Sequence, residues 1–145
     1  ANTLGNLIGR LSSFINKHFD GVLLLKESFD IPILSEYHES VKCCNYKAAL
    51  EFIWVIIRRT NQKIDFIKPW DLVKTNKEEC ERHLIEFSND IKLIAYLLTP
   101  FLPKTSAKID NLFEYETNKI AINQSFFVDG KLPPFFPKIA LQQEV

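Results

Sequence analysis

Residues 84–101 read LIEFSNDIKLIAYLLTPF, and their apolar positions decide the fold class. Leu84, Phe87, Ile91, Ile94, Leu98 and Phe101 recur at steps of three and four residues. That alternation places them on one face of a long helix, as in a packed bundle. Pro100 and Pro103 punctuate its end, because proline lacks the N–H a continuing helix needs. Just upstream, Glu78, Glu79, Glu81 and Glu86 alternate with Lys77, Arg82 and His83. This reads as a solvated helix face with pairing one turn apart.

The same periodicity extends in both directions. Asn45 is placed to cap a long helix starting near Tyr46, with Tyr46, Ala49, Leu50, Ile53, Trp54 and Ile57 as its core stripe. Trp54, among Phe52, Ile53, Val55 and Ile56, is expected to be buried. The pattern loosens through NQKIDFIKPW at 61–70, where Pro69 must interrupt any helix. A short helix is expected from Ser35, as N-cap, to about Cys44, preceded by a connection over 22–34 that passes through Pro32. In the first segment Leu4, Leu7, Ile8, Leu11, Phe14 and Ile15 form an apolar stripe. Asn2, Asn6, Arg10, Ser13 and Lys17 lie opposite, and Gly21 of the FDG triplet is available as a left-handed cap.

Beyond Phe101 a short helix is expected from Thr105 to about Phe113, capped by Thr105 or Ser106. The remainder, with Asp129-Gly130, Pro133-Pro134 and Pro137, reads as mostly irregular, held down by Phe126, Phe127, Phe135, Phe136 and Ile139. The expected fold is all-α: one domain over 1–145, an up-down bundle of about five helices over 1–113 with an irregular aromatic-rich strap over 114–145.

Composition agrees with one globular domain. The chain has 145 residues, 46% of them hydrophobic and 25% charged. Only four glycines are present, fewer than the turns of a β-rich domain this size normally need. No run of 18 apolar residues exists, and ANTLGN is no signal peptide. The absence of Met throughout leads to the expectation of a fragment cut from a longer chain. Cys43, Cys44 and Cys80 are odd in number, and adjacent cysteines do not readily bridge each other. Free thiols in a reducing cytoplasm are the expectation. His18, His38 and His83 share no ligand spacing with each other or the cysteines, so no metal is expected.

No enzyme motif is present: no GxSxG, P-loop, GxGxxG or HExxH. The net charge is zero, so any nucleic-acid role must rest on local asymmetry. Ala1 to Phe19 carries Arg10, Lys17 and His18 with no acid. From Arg58 to Lys74, five bases stand against Asp65 and Asp71. Packed side by side, these segments would form a mildly basic face with Trp70 on it, and cations beside a ring suit unpaired nucleotides. From composition alone, an ordinary solvated surface is the favoured reading. Trp70 itself, after Lys68-Pro69 at a helix break, can either cap a core or project at a helix start.

Several stretches resemble one known family. ANTLGNLIGRLSSFINKHFDGVL is similar to the first helix of the anticodon-binding domain of methionyl-tRNA synthetase. NYKAAL, NQKIDFIKPWDLVK, LLTPFLPKTSAKIDNLF and GKLPPFFPKI resemble its later segments in the same order. One departure is visible: Lys63 stands where the family usually has Tyr. The resemblance implies that Asn6, Arg10 and Trp70 recognise the first anticodon base, a cytosine. It implies a methionine-accepting tRNA as partner, and a parent ligase using ATP and Mg²⁺ with a zinc-binding insertion. The catalytic domain is expected upstream, leaving this chain with no catalytic residue and no cofactor of its own. Two alternatives are a helical domain of a valine, isoleucine, leucine or cysteine synthetase, and a protein-interaction bundle without RNA binding. NLIGR with Pro-Trp argues against the first, and binding to a CAU stem-loop separates the second.

Overall fold

The protein's structure, a computed structural model, describes residues 2–26 and 34–133. The expected turn through Pro32, and anchoring by Phe135, Phe136 and Ile139, lie outside the described residues. Within them the chain forms α1 (Asn2–Phe19), β1 (Val22–Leu24), α2 (Ser35–Lys42), α3 (Tyr46–Ile67), α4 (Pro69–Thr75), α5 (Lys77–Leu98), α6 (Pro103–Leu112), β2 (Phe113–Tyr115) and β3 (Lys119–Ile122). The fold is a helical bundle carrying one small sheet.

α5 is the central helix, packing against α1, α3, α4, α6 and β1. Its stripe of Leu84, Phe87, Ile91, Ile94 and Leu98 is buried, as the spacing predicts. Phe101 lies beyond the helix end and is half-buried. Asn76 opens α5 by accepting a hydrogen bond from the Glu79 backbone N–H at 3.1 Å. Satisfying one otherwise orphaned donor in this way stabilises a helix start by typically ~1 kcal/mol. Asn45 does the same for α3, accepting from the Ala48 N–H at 3.3 Å.

α3 departs from its expected core stripe. The buried line is Ala49, Ile53, Ile57, Thr60 and Ile64, whereas Trp54 and Leu50 are each 36% exposed and Tyr46 is 50% exposed. Leu50 and Trp54 each follow a buried residue by one position, about 100° round the helix, whereas Tyr46 lies on the buried line but in the first turn, at the end of the helix. The expected burial of Trp54 is therefore corrected. Thr60, a polar residue, takes a core position because its hydroxyl donates to the Ile56 carbonyl at 2.9 Å and contacts Asp90 Oδ2 at 3.2 Å. Lys63 reaches the same Asp90 oxygen at 3.1 Å, so an ion pair to α5 occupies the position where the resembling family has Tyr.

Boundaries shift in three places. Ser35 and Thr105 are inside helices, with Leu34 and Leu102 as the N-caps and no capping side-chain bond. Thr105 and Ser106 are buried, and the Ser106 hydroxyl donates to Ala95 O at 2.6 Å, tying α6 to α5. Residues 69–75, read only as a break, form α4, so six helices lie among the described residues.

The segment after α6 pairs more than its composition suggests. β3 is the middle strand of an antiparallel sheet, β1-β3-β2, with Leu23 opposite Ile120 and Phe113 opposite Ile122. Those four side chains are buried beside the helices. Gly21 supports the approach: its φ is +79°, and an added Cβ would stand 2.7 Å from Asn16 Oδ1 and 2.8 Å from Gln124 Nε2. Its N–H donates to the Ile15 carbonyl at 3.1 Å, closing α1 as expected of a left-handed cap.

Candidate nucleic-acid interface

The sequence of α1 fixes which side faces water. Leu4, Leu7, Ile8, Leu11 and Ile15 are buried, so Asn6 and Arg10, one turn apart, project on the exposed face. No hydrogen bond engages the Asn6 amide among the described residues.

Trp70 is aimed by the joint before it. Lys68 adopts a left-handed conformation at φ 53°, and its N–H closes α3 by donating to Ile64 O at 2.9 Å. Its carbonyl then accepts the N–H groups of Asp71 and Leu72, each at 3.0 Å, opening α4. One residue therefore ends one helix and starts the next. Pro69 fits the first position of α4, where no N–H is needed, and is buried. Cys80 lies under it, its thiol 3.6 Å from the Pro69 carbonyl, and burial with the nearby Glu81 carboxylate pushes that thiol up to about 11. With Pro69 anchored, Trp70 is left projecting and 41% exposed.

The two segments meet. The Arg10 guanidinium carbon lies 5.8 Å from the centroid of the Trp70 ring. At an exposed site such a cation–π contact stabilises by about 0.5–1 kcal/mol. Arg10 Nη2 also stands 3.6 Å from Asp65 Oδ1 near the end of α3. Both partners are largely exposed, so the pair is worth about 0–1 kcal/mol and its main effect is on where the guanidinium points. Beside them opens a cleft of about 290 Å³ lined by Arg10, Ser13, Phe14, Lys17, Pro69 and Trp70 among others.

Chemically, the surface offers an exposed amide, a guanidinium and a partly exposed indole. The structure brings Arg10 and Trp70 together, with Asn6 one helical turn from Arg10. No acid lies near Arg10 within the first 19 residues of the sequence; Asp65 approaches from a helix about 55 positions away in the chain. Asp65 stood in the sequence only as a charge in a basic segment, with nothing to mark its reach. Among the described residues no group of three His, Cys, Asp or Glu could hold a metal ion, and no helix is long and apolar enough to cross a membrane.

The fold has a solved counterpart. The apo crystal structure of Mycobacterium tuberculosis methionyl-tRNA synthetase superposes with a TM-score of 0.65 over 94% of this chain and 32% of that one, at 22% identity. The chain belongs to the family described as the anticodon binding domain of methionyl tRNA ligase, which matches residues 26–128. That span includes Trp70 and begins after α1. Similarity to whole proteins extends across α1 as well. A methionine–tRNA ligase of Streptococcus pyogenes is 31% identical and one of Lactococcus lactis 29%, each aligned with 100% of this chain and 25% of the relative. The chain thus spans about a quarter of the length of the curated relatives it matches.

Proposed function

We propose that this chain recognises the anticodon of a methionine-accepting tRNA, CAU, by reading its first base, cytosine, with Asn6, Arg10 and Trp70. The observation that carries the reading is the Arg10 guanidinium poised over the Trp70 ring at the mouth of a cleft. A loop base can be splayed out and stacked on an aromatic ring while its Watson–Crick edge meets polar side chains. Cytosine presents an amino donor with N3 and O2 acceptors. The Asn6 amide offers both a donor and an acceptor, and Arg10 offers donors for the acceptors. Uracil replaces the donor at C4 with an acceptor and the acceptor at N3 with a donor, so the same set is mismatched.

In the full-length protein this recognition serves a cytoplasmic ligase that activates methionine with ATP and Mg²⁺, then transfers it to the tRNA 3′ end. A catalytic domain with a zinc-binding insertion supplies that chemistry, and this chain supplies selection. Support comes from the curated relatives, which carry the name methionine–tRNA ligase.

The test is Arg10→Gln, measured against CAU and UAU anticodon stem-loops at one fixed salt concentration. A base-reading Arg discriminates between bases, whereas a phosphate-bound Arg contributes to all RNAs alike. The variant is expected to lose preference for CAU by about 1–3 kcal/mol, a mismatch-sized penalty. Equal weakening of both stem-loops, with the preference kept, assigns Arg10 to the phosphates and overturns its role as a reader.

A further inference from the structure

Three lysines from three different helices stand near the end of α1, and one of them lines the Trp70 cleft. Lys17 lies in the last turn of α1 and lines that cleft. Lys74 stands one turn beyond Trp70 on α4, so it shares the face that carries the ring. Lys77 opens α5, and its ammonium lies 5.1 Å from the centroid of the Phe19 ring. Their common neighbour is His18, whose ring packs on Phe14 at a centroid distance of 4.4 Å. Burial and then the charges of Lys17, Lys77 and Lys74 hold the His18 pKa below its usual value.

None of the three lysines is ion-paired among the described residues. Two nearby acids turn elsewhere: Glu78 pairs with Lys26 at 3.1 Å, and Glu81 accepts the Leu24 backbone N–H at 3.3 Å. Asp20 and Asp71 stand close in sequence, without an ion pair to any of the three among the described residues. Like charges crowded together without counter-ions cost free energy, and an anion bound among them relieves it. From Arg10 to Lys17 the helix rises roughly 10 Å, so the cluster begins two turns from the proposed base-reading position.

We propose that Lys17, Lys74 and Lys77 form a phosphate track that grips the backbone of the RNA strand leaving the Trp70 cleft. The proposal rests on the reading of this face as an anticodon-loop site, and adds a contact that positions the loop without reading its sequence. Cations on backbone phosphates displace condensed counter-ions, so their signature is a salt dependence shared by every RNA sequence.

The test compares the wild-type chain with the triple variant Lys17→Gln, Lys74→Gln, Lys77→Gln. Binding of CAU and UAU stem-loops is measured across a salt series. A control triple, Lys42→Gln, Lys47→Gln, Lys104→Gln, removes the same charge from exposed positions on other helices. The track variant is expected to flatten the slope of log affinity against log salt by about 2, given about 0.7 per phosphate on a single strand. The CAU-to-UAU ratio should be unchanged, the control should keep the wild-type slope, and the corresponding triple Lys→Arg variant should keep it too. A track variant with the wild-type slope, or a control that flattens it equally, overturns the track. Wild-type protein that binds both stem-loops equally, with the slope still flattened in the variant, overturns the base-reading site and leaves the track standing.

Discussion

At the scale of single residues, Trp70 carries the argument because its two faces of evidence are independent. Its neighbour Pro69 is buried while the ring itself is partly exposed, so the backbone anchors and the side chain is left available. Trp70→Ala is therefore expected to keep the helical circular dichroism and the unfolding midpoint close to wild type. Stem-loop affinity should fall roughly 5- to 150-fold, the equivalent of about 1–3 kcal/mol for a lost base–aromatic stack. A variant that unfolds, or binds RNA as tightly as wild type, shows that the ring is packing and not platform. Sequence alone left this residue undecided, since a break at Pro69 is compatible with either fate. The missing information was long-range: which side of α4 faces Arg10. Trp54 shows the opposite failure. Its apolar neighbours suggested burial, but it sits one residue past the line that contacts α5, and α3 leaves it half uncovered.

At the scale of elements, the joint at Lys68 decides where Trp70 points. A left-handed backbone costs an ordinary L-residue about 1–2 kcal/mol, and a β-branched one more. Lys68→Gly and Lys68→Val remove the same charge but differ in that cost. The Gly variant should match or exceed wild-type stability by up to ~1 kcal/mol in urea unfolding, while Val should lose about 1–2 kcal/mol or more. RNA affinity should follow the same order, Gly above Val, because only Val disturbs the start of α4. Equal behaviour of the two variants would show that the joint does not need this conformation.

Elements also differ in how openly the sequence declares them. α1 and α5 were legible because one buried face over 18 or more residues repeats the three-and-four step many times. α4 has only seven residues, too few for a periodic signal against the proline that begins it. The strands escaped for a different reason. β1, β2 and β3 have three or four residues each, and β1 pairs with a strand nearly 100 positions later. Such pairing leaves no local alternation long enough to read.

At the scale of the whole molecule, the core and the proposed binding face share their supports. α5 fixes α1, α3 and α4 against one another, and those three helices carry Arg10, Asp65 and Trp70. Burying side chains such as Phe87 and Ile91, each worth about 1.5–3 kcal/mol, holds the surface in register without any contact to RNA. The neutral overall charge gives no net attraction to polyanions, so the proposed affinity rests on the local charge of this face. The central claim is that the face selects cytosine. Competition between CAU and UAU stem-loops for the wild-type chain, at one fixed salt concentration, tests it most directly. Preference for CAU by about 5- to 150-fold is the predicted result, matching one mismatch of about 1–3 kcal/mol. Equal affinity for the two stem-loops would contradict it.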